Sequence, residues 1–136
     1  MTRFEGGCHC GAITAVFETA LAPGEIDVRA DQCGFCRRHS AKTVSDPAGR
    51  LTLRFAEAAV RRYRFGQRTA DFLVCRDCGA YVASVMEEFG VLNVVGADIA
   101  VLASRDARPV DYEAESVEER RARRRQRWTP TILEAV

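Results

Sequence analysis

The chain has 136 residues, the length of one domain of ordinary size. Its hydrophobic fraction of 47% and charged fraction of 29% exclude a disordered segment. A formal net charge of +1 argues against a surface built as a whole for nucleic acid. No apolar run reaches the roughly 18 residues of a membrane span, and no export signal is visible, so we expect a cytoplasmic protein with reduced cysteines and no membrane contact.

Apolar and polar residues alternate with period two through the first two thirds of the chain, which predicts several short antiparallel strands in residues 1–100. The predicted strands are, in chain order, Ile13–Glu18, Ile26–Ala30, Leu51–Phe55, Val60–Phe65, Phe72–Val74, Tyr81–Met86 and Val91–Val95. The aromatic residues Tyr63, Phe65, Phe72 and Tyr81 occupy strand positions and belong either to the core or to a pocket wall.

Residues 105–136 differ in character. Residues 105–112 are predicted to be a loop, and Ser116 with Glu119 forms a capping box for a helix over residues 117–126. We therefore divide the chain into a domain of residues 1–104 and a loop and helix of residues 105–136, which pack on the domain or on a partner subunit. The segment Trp128–Leu133 is expected to fold back in the same way.

Six of the eight residues from Arg120 to Arg127 are arginines. Clustered arginines can neutralise phosphates, but acidic residues lie directly upstream and can pair with them. These acidic residues are Asp111, Glu113, Glu115, Glu118 and Glu119. We therefore predict a solvated helix or a homo-oligomer contact rather than a nucleic-acid site.

All six cysteines lie in three short pairs: Cys8 with Cys10, Cys33 with Cys36, and Cys75 with Cys78. Thiolates at this spacing are typical zinc ligands, and four of them form a closed structural site. A disulfide framework is the alternative, and it needs an oxidising compartment. Gly79 follows the last pair, where a left-handed backbone excludes a Cβ.

The three motifs, in this order, resemble those of the glutathione-dependent formaldehyde-activating enzyme family, which includes centromere protein V. The residues that carry the resemblance are Gly6-Gly7-Cys8-His9-Cys10-Gly11-Ala12-Ile13, Cys33-Gly34-Phe35-Cys36-Arg37 and Cys75-Arg76-Asp77-Cys78-Gly79. The resemblance implies a mainly β, Mss4-like β-tent fold with zinc knuckles, here with an added C-terminal helix. It also implies a structural zinc held by Cys8, Cys10, Cys75 and Cys78.

In that family the middle motif is Cys-x-Cys-x-x-Cys and holds a second, catalytic zinc. Here Asp31 stands in place of its first cysteine, so the implied ligands are Asp31, Cys33 and Cys36. A carboxylate can ligate zinc, although less softly than a thiolate. Alternatively, Asp31 only caps a turn. His39 is a substitute ligand three residues after Cys36, whereas His9 should point away from the first site.

The implied activity is that of a carbon–sulfur lyase-like protein. Its substrate is a thiol–aldehyde adduct such as S-(hydroxymethyl)glutathione, and its partners are a small thiol and an aldehyde. Arg37 is the predicted catalytic cation, and Arg38 lies beside it; the alternative for both is a solvated charge on a turn. A different class remains open: a non-catalytic zinc-stabilised binding module that keeps only the structural zinc.

Overall fold

The computed structural model describes all 136 residues as a mainly β fold with three short α-helices. The strands are β1 (Thr2–Gly7), β2 (Thr14–Thr19), β3 (Arg29–Asp31), β4 (Thr43–Val44), β5 (Arg50–Phe55), β6 (Val60–Tyr63), β7 (Asp71–Cys75), β8 (Tyr81–Met86), β9 (Phe89–Asn93), β10 (Arg108–Val110) and β11 (Thr129–Ala135). The helices are α1 (Gly34–Arg38), α2 (Ala100–Ala103) and α3 (Val117–Arg127). None of them has the length and apolar character needed to cross a membrane.

The strands join in one continuous sheet with the order β1-β2-β5-β11-β9-β4-β3-β10, and β6, β7 and β8 branch from β9. All pairs formed within residues 1–100 are antiparallel, as predicted. The two parallel pairs, β11 with β5 and β10 with β3, both involve the C-terminal segment.

Strand β11 links the two halves of the sheet. Thr129 and Pro130 pair with β9, and the residues from Thr131 onward pair with β5. The chain end is therefore a central strand, which the sequence analysis did not predict. The segment 105–112, predicted as a loop, also contains the short strand β10. The division into residues 1–104 and 105–136 stays a prediction.

The main hydrophobic core is one cluster of buried side chains, and β1, β2, β5, β7, β8 and β9 all contribute to it. Strand β5 alternates buried and more exposed residues, as expected for a strand with one wet face, and Leu51 and Leu53 are completely buried. Strand β8 is buried along its whole length between β7 and β9. The predicted strand Ile26–Ala30 is shorter than expected, because only its end forms β3.

Helix α3 begins at the predicted capping box. The Glu119 backbone N–H donates to Ser116 Oγ at 3.1 Å, and the Ser116 N–H donates to Glu119 Oε1 at 3.0 Å. The prediction of a solvated helix is wrong at Arg124, which is only 7% exposed. Trp128, directly after the helix, packs in a small buried cluster with Met86 and Val91, so this segment does fold back on the domain.

Gly96 provides a test of how tightly β8 is held. A Cβ at this position would overlap the carbonyl oxygen of Tyr81, which already accepts a hydrogen bond from Asn93 Nδ2 at 2.8 Å. Gly96→Ala is expected to lower the free energy of unfolding by about 2 kcal/mol or more. Chemical denaturation measures the change. Gly24→Ala is the control, because a Cβ there meets nothing within 4 Å, and an equal effect of both substitutions would contradict the prediction.

Candidate metal centres and the adjoining cavities

Four cysteine side chains from opposite ends of the β region meet in one cluster. Cys8 and Cys10 follow β1, Cys75 ends β7, and Cys78 lies in the turn before β8. The four sulfur atoms all lie within 4.8 Å of one another. The Sγ atoms of Cys10 and Cys75 are 3.5 Å apart, and those of Cys8 and Cys10 are 3.8 Å apart.

These distances fit a tetrahedral metal site. With zinc–sulfur bonds of about 2.3 Å, the sulfurs of a tetrahedron are about 3.8 Å apart. A disulfide needs a sulfur–sulfur separation of about 2.05 Å. All six cysteines are free, so the alternative of a disulfide framework is wrong. The cluster can hold a metal ion such as zinc.

Backbone amides point at the sulfurs, as predicted for a zinc knuckle. The Ile13 N–H donates to Cys8 Sγ at 3.2 Å. Burial raises the pKa of Cys78, but hydrogen bonds from the backbone N–H groups of Ala80 and Cys10 outweigh it and lower that pKa to about 6. The loop around Cys78 thus stabilises a thiolate, the form of cysteine that binds metals.

The pKa of Cys10 moves the other way, to about 12. The Ala12 N–H lowers it, but hydrogen bonds with the Cys75, Cys8 and Cys78 sulfurs and burial raise it by more. Four adjacent thiolates repel one another, so some of these sulfurs keep their protons unless a cation is present. A divalent cation removes that repulsion, and the donor set therefore fits zinc.

The left-handed backbone predicted at Gly79 is confirmed, and Gly11 beside the first cysteine pair has the same conformation. Gly79 has a φ of 78° and Gly11 a φ of 83°, both in the left-handed region. The Gly79 N–H donates to the Cys75 carbonyl at 3.0 Å, which closes the turn that carries Cys78. His9 is exposed and lies outside the cluster, as predicted.

The second group consists of Asp31, Cys33 and Cys36, whose ligand atoms also lie within 4.8 Å of one another. Asp31 is the last residue of β3, and Cys33 is the N-cap of α1. The Cys36 N–H donates to Cys33 Sγ at 3.3 Å. The tight turn between β3 and α1 thus brings all three side chains together.

The two sulfurs of this group differ in their affinity for protons. A hydrogen bond from the Cys36 thiol lowers the pKa of Cys33 to about 7, with help from backbone N–H groups and against the effect of burial. The same hydrogen bond, together with burial, raises the pKa of Cys36 above its ordinary value. Cys33 is therefore the sulfur that carries negative charge first.

Asp31 does cap the turn, because its Oδ1 accepts a hydrogen bond from the Cys33 N–H at 2.9 Å. That contact occupies one carboxylate oxygen and leaves Oδ2 available to a metal. The capping and ligand interpretations of Asp31 are therefore compatible. His39 does not belong to the group; its ring lies 4.4 Å from Phe35 and 5.7 Å from Tyr81.

Phe35, between the two cysteines of the motif, is the centre of an aromatic cluster that sequence analysis missed. Its ring centroid lies 4.9–5.6 Å from the rings of Tyr63, Phe65, Phe72 and Tyr81. Those four residues were left open as core or pocket wall, and three of them line cavities, of which only Tyr81 is also buried in the core. Phe65, Phe72 and Tyr81 pack on Phe35 and also line cavities beside the second group.

Two cavities flank the second group, and Asp31, Phe72, Tyr112, Arg123 and Arg124 line both. The first, of about 290 Å³, also reaches Cys36 and Tyr81, and we name it the Cys36 cavity. The second, of about 360 Å³, also reaches Cys33 and Arg37, and we name it the Cys33 cavity. Residues of the second group therefore line spaces large enough for small molecules, whereas the four cysteines of the first cluster line neither cavity.

Arg37 and Arg38 differ in position. Arg37 is exposed and lines the Cys33 cavity, and its Nε donates to the Gln32 carbonyl at 3.0 Å. Arg38 donates from Nη1 to the Gly34 carbonyl at 2.9 Å and lines neither cavity. The catalytic role predicted for Arg37 stays a prediction.

The protein thus has a mainly β fold with two groups of side chains that could hold a metal ion, and the second group lies beside two cavities. These features are those of a candidate metalloprotein. Residues 3–114 match the family described as glutathione-dependent formaldehyde-activating enzyme. The chain therefore belongs to this family, as its motifs predicted. A crystal structure of a Rhodobacter sphaeroides protein is similar, with 28% sequence identity and a TM-score of 0.57, and the match covers 78% of this chain and 99% of that one.

Removal of bound metal tests the four-cysteine cluster. Treatment with a strong chelator under reducing conditions is expected to lower the thermal unfolding midpoint, because the thiolates then repel one another and the turns that carry them separate. One equivalent of zinc should restore the midpoint. In Cys10→Ser the chelator should cause a smaller drop than in the wild type. A wild-type midpoint that stays constant while metal content falls to zero would contradict this assignment.

Proposed function

We propose that the chain is a zinc-dependent carbon–sulfur lyase-like protein that acts on a thiol–aldehyde adduct such as S-(hydroxymethyl)glutathione. Membership of the family supports this proposal. The observation that carries it is the group of Asp31, Cys33 and Cys36, three ligands that open onto two cavities. Free thiols are needed in both groups, so the proposal includes a cytoplasmic location, where thiols stay reduced.

In this proposal the four-cysteine cluster holds a structural zinc, and Asp31, Cys33 and Cys36 hold a second zinc. Catalytic zinc sites typically have three protein ligands and one open position. When bound, the second zinc supplies Lewis acidity that favours a thiolate at neutral pH. The low pKa of Cys33 and the free Oδ2 of Asp31 suit these residues to act as ligands.

The proposed reaction is the reversible cleavage of one carbon–sulfur bond. The hydroxyl group of the adduct loses its proton to solvent, the carbon–sulfur electron pair moves to sulfur, and the aldehyde leaves. The thiolate that remains takes up a proton when it departs as the thiol. Arg37, on the wall of the Cys33 cavity, stabilises the negative charge that develops on the aldehyde oxygen.

Aromatic side chains line part of both cavities. Tyr81 is almost completely buried, and its hydroxyl group bonds Ser84 Oγ at 2.6 Å, so its polar atom is satisfied. Phe72 covers both cavities from the same hairpin. These rings form the apolar part of walls that also carry charged side chains.

One observation favours the alternative of a non-catalytic binding module. Asp31 already caps the turn by accepting a hydrogen bond from the Cys33 N–H. The presence of an aspartate at this position is therefore explained without a bound metal. In that case only the four-cysteine cluster binds zinc. Metal stoichiometry separates the two functions.

The enzyme proposal predicts two zinc ions per chain and one after Cys33→Ala. Mass spectrometry of protein purified under reducing conditions measures the content. Exchange between formaldehyde and its glutathione adduct, followed by NMR, should be faster with the wild type and return to the uncatalysed rate with Cys33→Ala. His9→Ala is a matched control beside the other cluster and should keep both properties. One zinc per chain in both proteins, without faster exchange, would support the binding module.

The substitution Asp31→Cys restores the Cys-x-Cys-x-x-Cys motif of the family. It should raise the affinity of the second site for zinc by about tenfold or more, because a soft thiolate replaces a hard carboxylate. Competition with a chromogenic chelator measures the affinity. Asp31→Ala should weaken binding instead. If neither substitution changes the zinc affinity, Asp31 is only a turn cap.

A further inference from the structure

Basic side chains are concentrated on the wall of the Cys36 cavity. Five arginines line it, against the two carboxylates of Asp27 and Asp31. The arginines are Arg29, Arg108, Arg123, Arg124 and Arg127. Cations crowded around a cavity repel one another and attract an anion.

Three of these arginines already have carboxylate partners, and the pair of Arg29 with Asp27 is the longest, at 3.8 Å. Arg108 Nη2 lies 2.7 Å from Asp27 Oδ2. Arg123 donates from Nε and Nη2 to the two oxygens of Glu115, at 2.8 and 2.9 Å, and its guanidinium lies 3.5 Å from the centre of the Tyr112 ring. The opposite charges in each pair offset each other, and of these residues only Arg123 and Tyr112 line both cavities.

Arg124 has no such partner. Its Nη1 donates to Thr69 Oγ1 at 2.7 Å, and its guanidinium lies 4.7 Å from the centre of the Trp128 ring. No carboxylate lies within ion-pair distance of it, although it is only 7% exposed. Its Nε is buried without a hydrogen-bond partner, and Nη2 has no protein acceptor.

Burial of this guanidinium lowers the stability of the fold, because its Nε has lost hydrogen bonds to water without gaining a protein acceptor. Burial and the neighbouring Arg123 and Arg120 lower the pKa of Arg124 to about 10, so it is still a cation at neutral pH. Arg29 adds a second charge: its side chain is 13% exposed, and Asp27 is 3.8 Å away.

We propose that Arg124 binds a carboxylate group of the substrate, with Arg29 providing additional positive charge. The inference rests on the proposed function, and it defines the substrate as a small thiol adduct with a carboxylate at a distance from its sulfur. Of the three guanidinium nitrogens, only Nη2 is neither bonded to the protein nor fully buried, so Nη2 is the donor that a carboxylate oxygen can reach. Arg124 lines the Cys36 cavity and also the Cys33 cavity, which contains Arg37. It therefore lies on the wall of both spaces that open onto the metal group.

Glutarate, a dicarboxylate without a thiol, tests the subsite independently of any reaction. NMR titration of the metal-loaded full chain should show saturable binding with shifts at residues of the Cys36 cavity. Arg124→Gln should weaken it by about tenfold to a hundredfold, the effect of one charged hydrogen-bonded pair. Arg121→Gln is the control, because Arg121 lies on the same helix but is exposed and lines neither cavity.

Arg124→Lys keeps the charge without the planar guanidinium and should bind with intermediate affinity. It also decides the matter if Arg124→Gln does not fold, which thermal unfolding reveals. Three results would overturn the proposal: no glutarate binding to the wild type, equal binding to the Arg124 variants, or stronger binding of inorganic phosphate than of glutarate.

A kinetic comparison separates this proposal from the proposed function. For the formaldehyde adduct of 3-mercaptopropionate, Arg124→Gln should raise KM with little change in kcat, while the neutral adduct of 2-mercaptoethanol should be unaffected. Equal effects on both adducts would contradict a carboxylate subsite. If neither adduct reacts, the proposed function fails, and the glutarate titration still decides whether Arg124 binds carboxylates.

Discussion

The convergence of four cysteine sulfurs is the contact on which the arrangement of this fold depends. Cys10 and Cys75 are 65 residues apart in sequence, yet their sulfurs are 3.5 Å apart. Closing a loop of this length costs about 4 kcal/mol, while a structural zinc contributes about 10–16 kcal/mol. Because β6, β7 and β8 branch from the sheet at β9 alone, the cluster is a second anchor for that branch and connects it to the end of β1.

The second group of ligands depends on the same anchor. The hairpin of β7 and β8 carries Cys75 at one strand end, Phe72 within that strand, and Tyr81 directly after the knuckle. Phe72 and Tyr81 then pack edge-on against Phe35 of α1, between the cysteines of the second group. The hairpin that the sulfurs fix in place is therefore also the wall of both cavities. The two candidate metal groups therefore share one supporting element, the β7–β8 hairpin.

Local signals in the sequence were sufficient to predict the grouping of the cysteine pairs, the left-handed backbone at Gly79, most of the antiparallel strands and the capped start of α3. Longer-range features were not predictable. Strand β11 contains Pro130 and pairs with β5 and β9, which come from distant parts of the chain. Helix α1 has only five residues, too few to show a helical period. The arginines of α3 look equivalent in sequence, and only the packing of the helix on Met86 and Trp128 selects Arg124 for burial.

The replacement of a cysteine by Asp31 changes less than it first suggests. A carboxylate and a thiolate each carry one negative charge, so the charge of the ligand group is the same with either. What changes is softness and the proton balance: a carboxylate is ionised at neutral pH without help, whereas a thiol must release a proton when a metal binds. Metal binding at this group thus displaces one proton fewer than at a three-cysteine group and depends less on pH. The basic wall around Arg124 lies beside this group, so under the proposed function positive charge for an anionic substrate would come from the protein as well as from the metal.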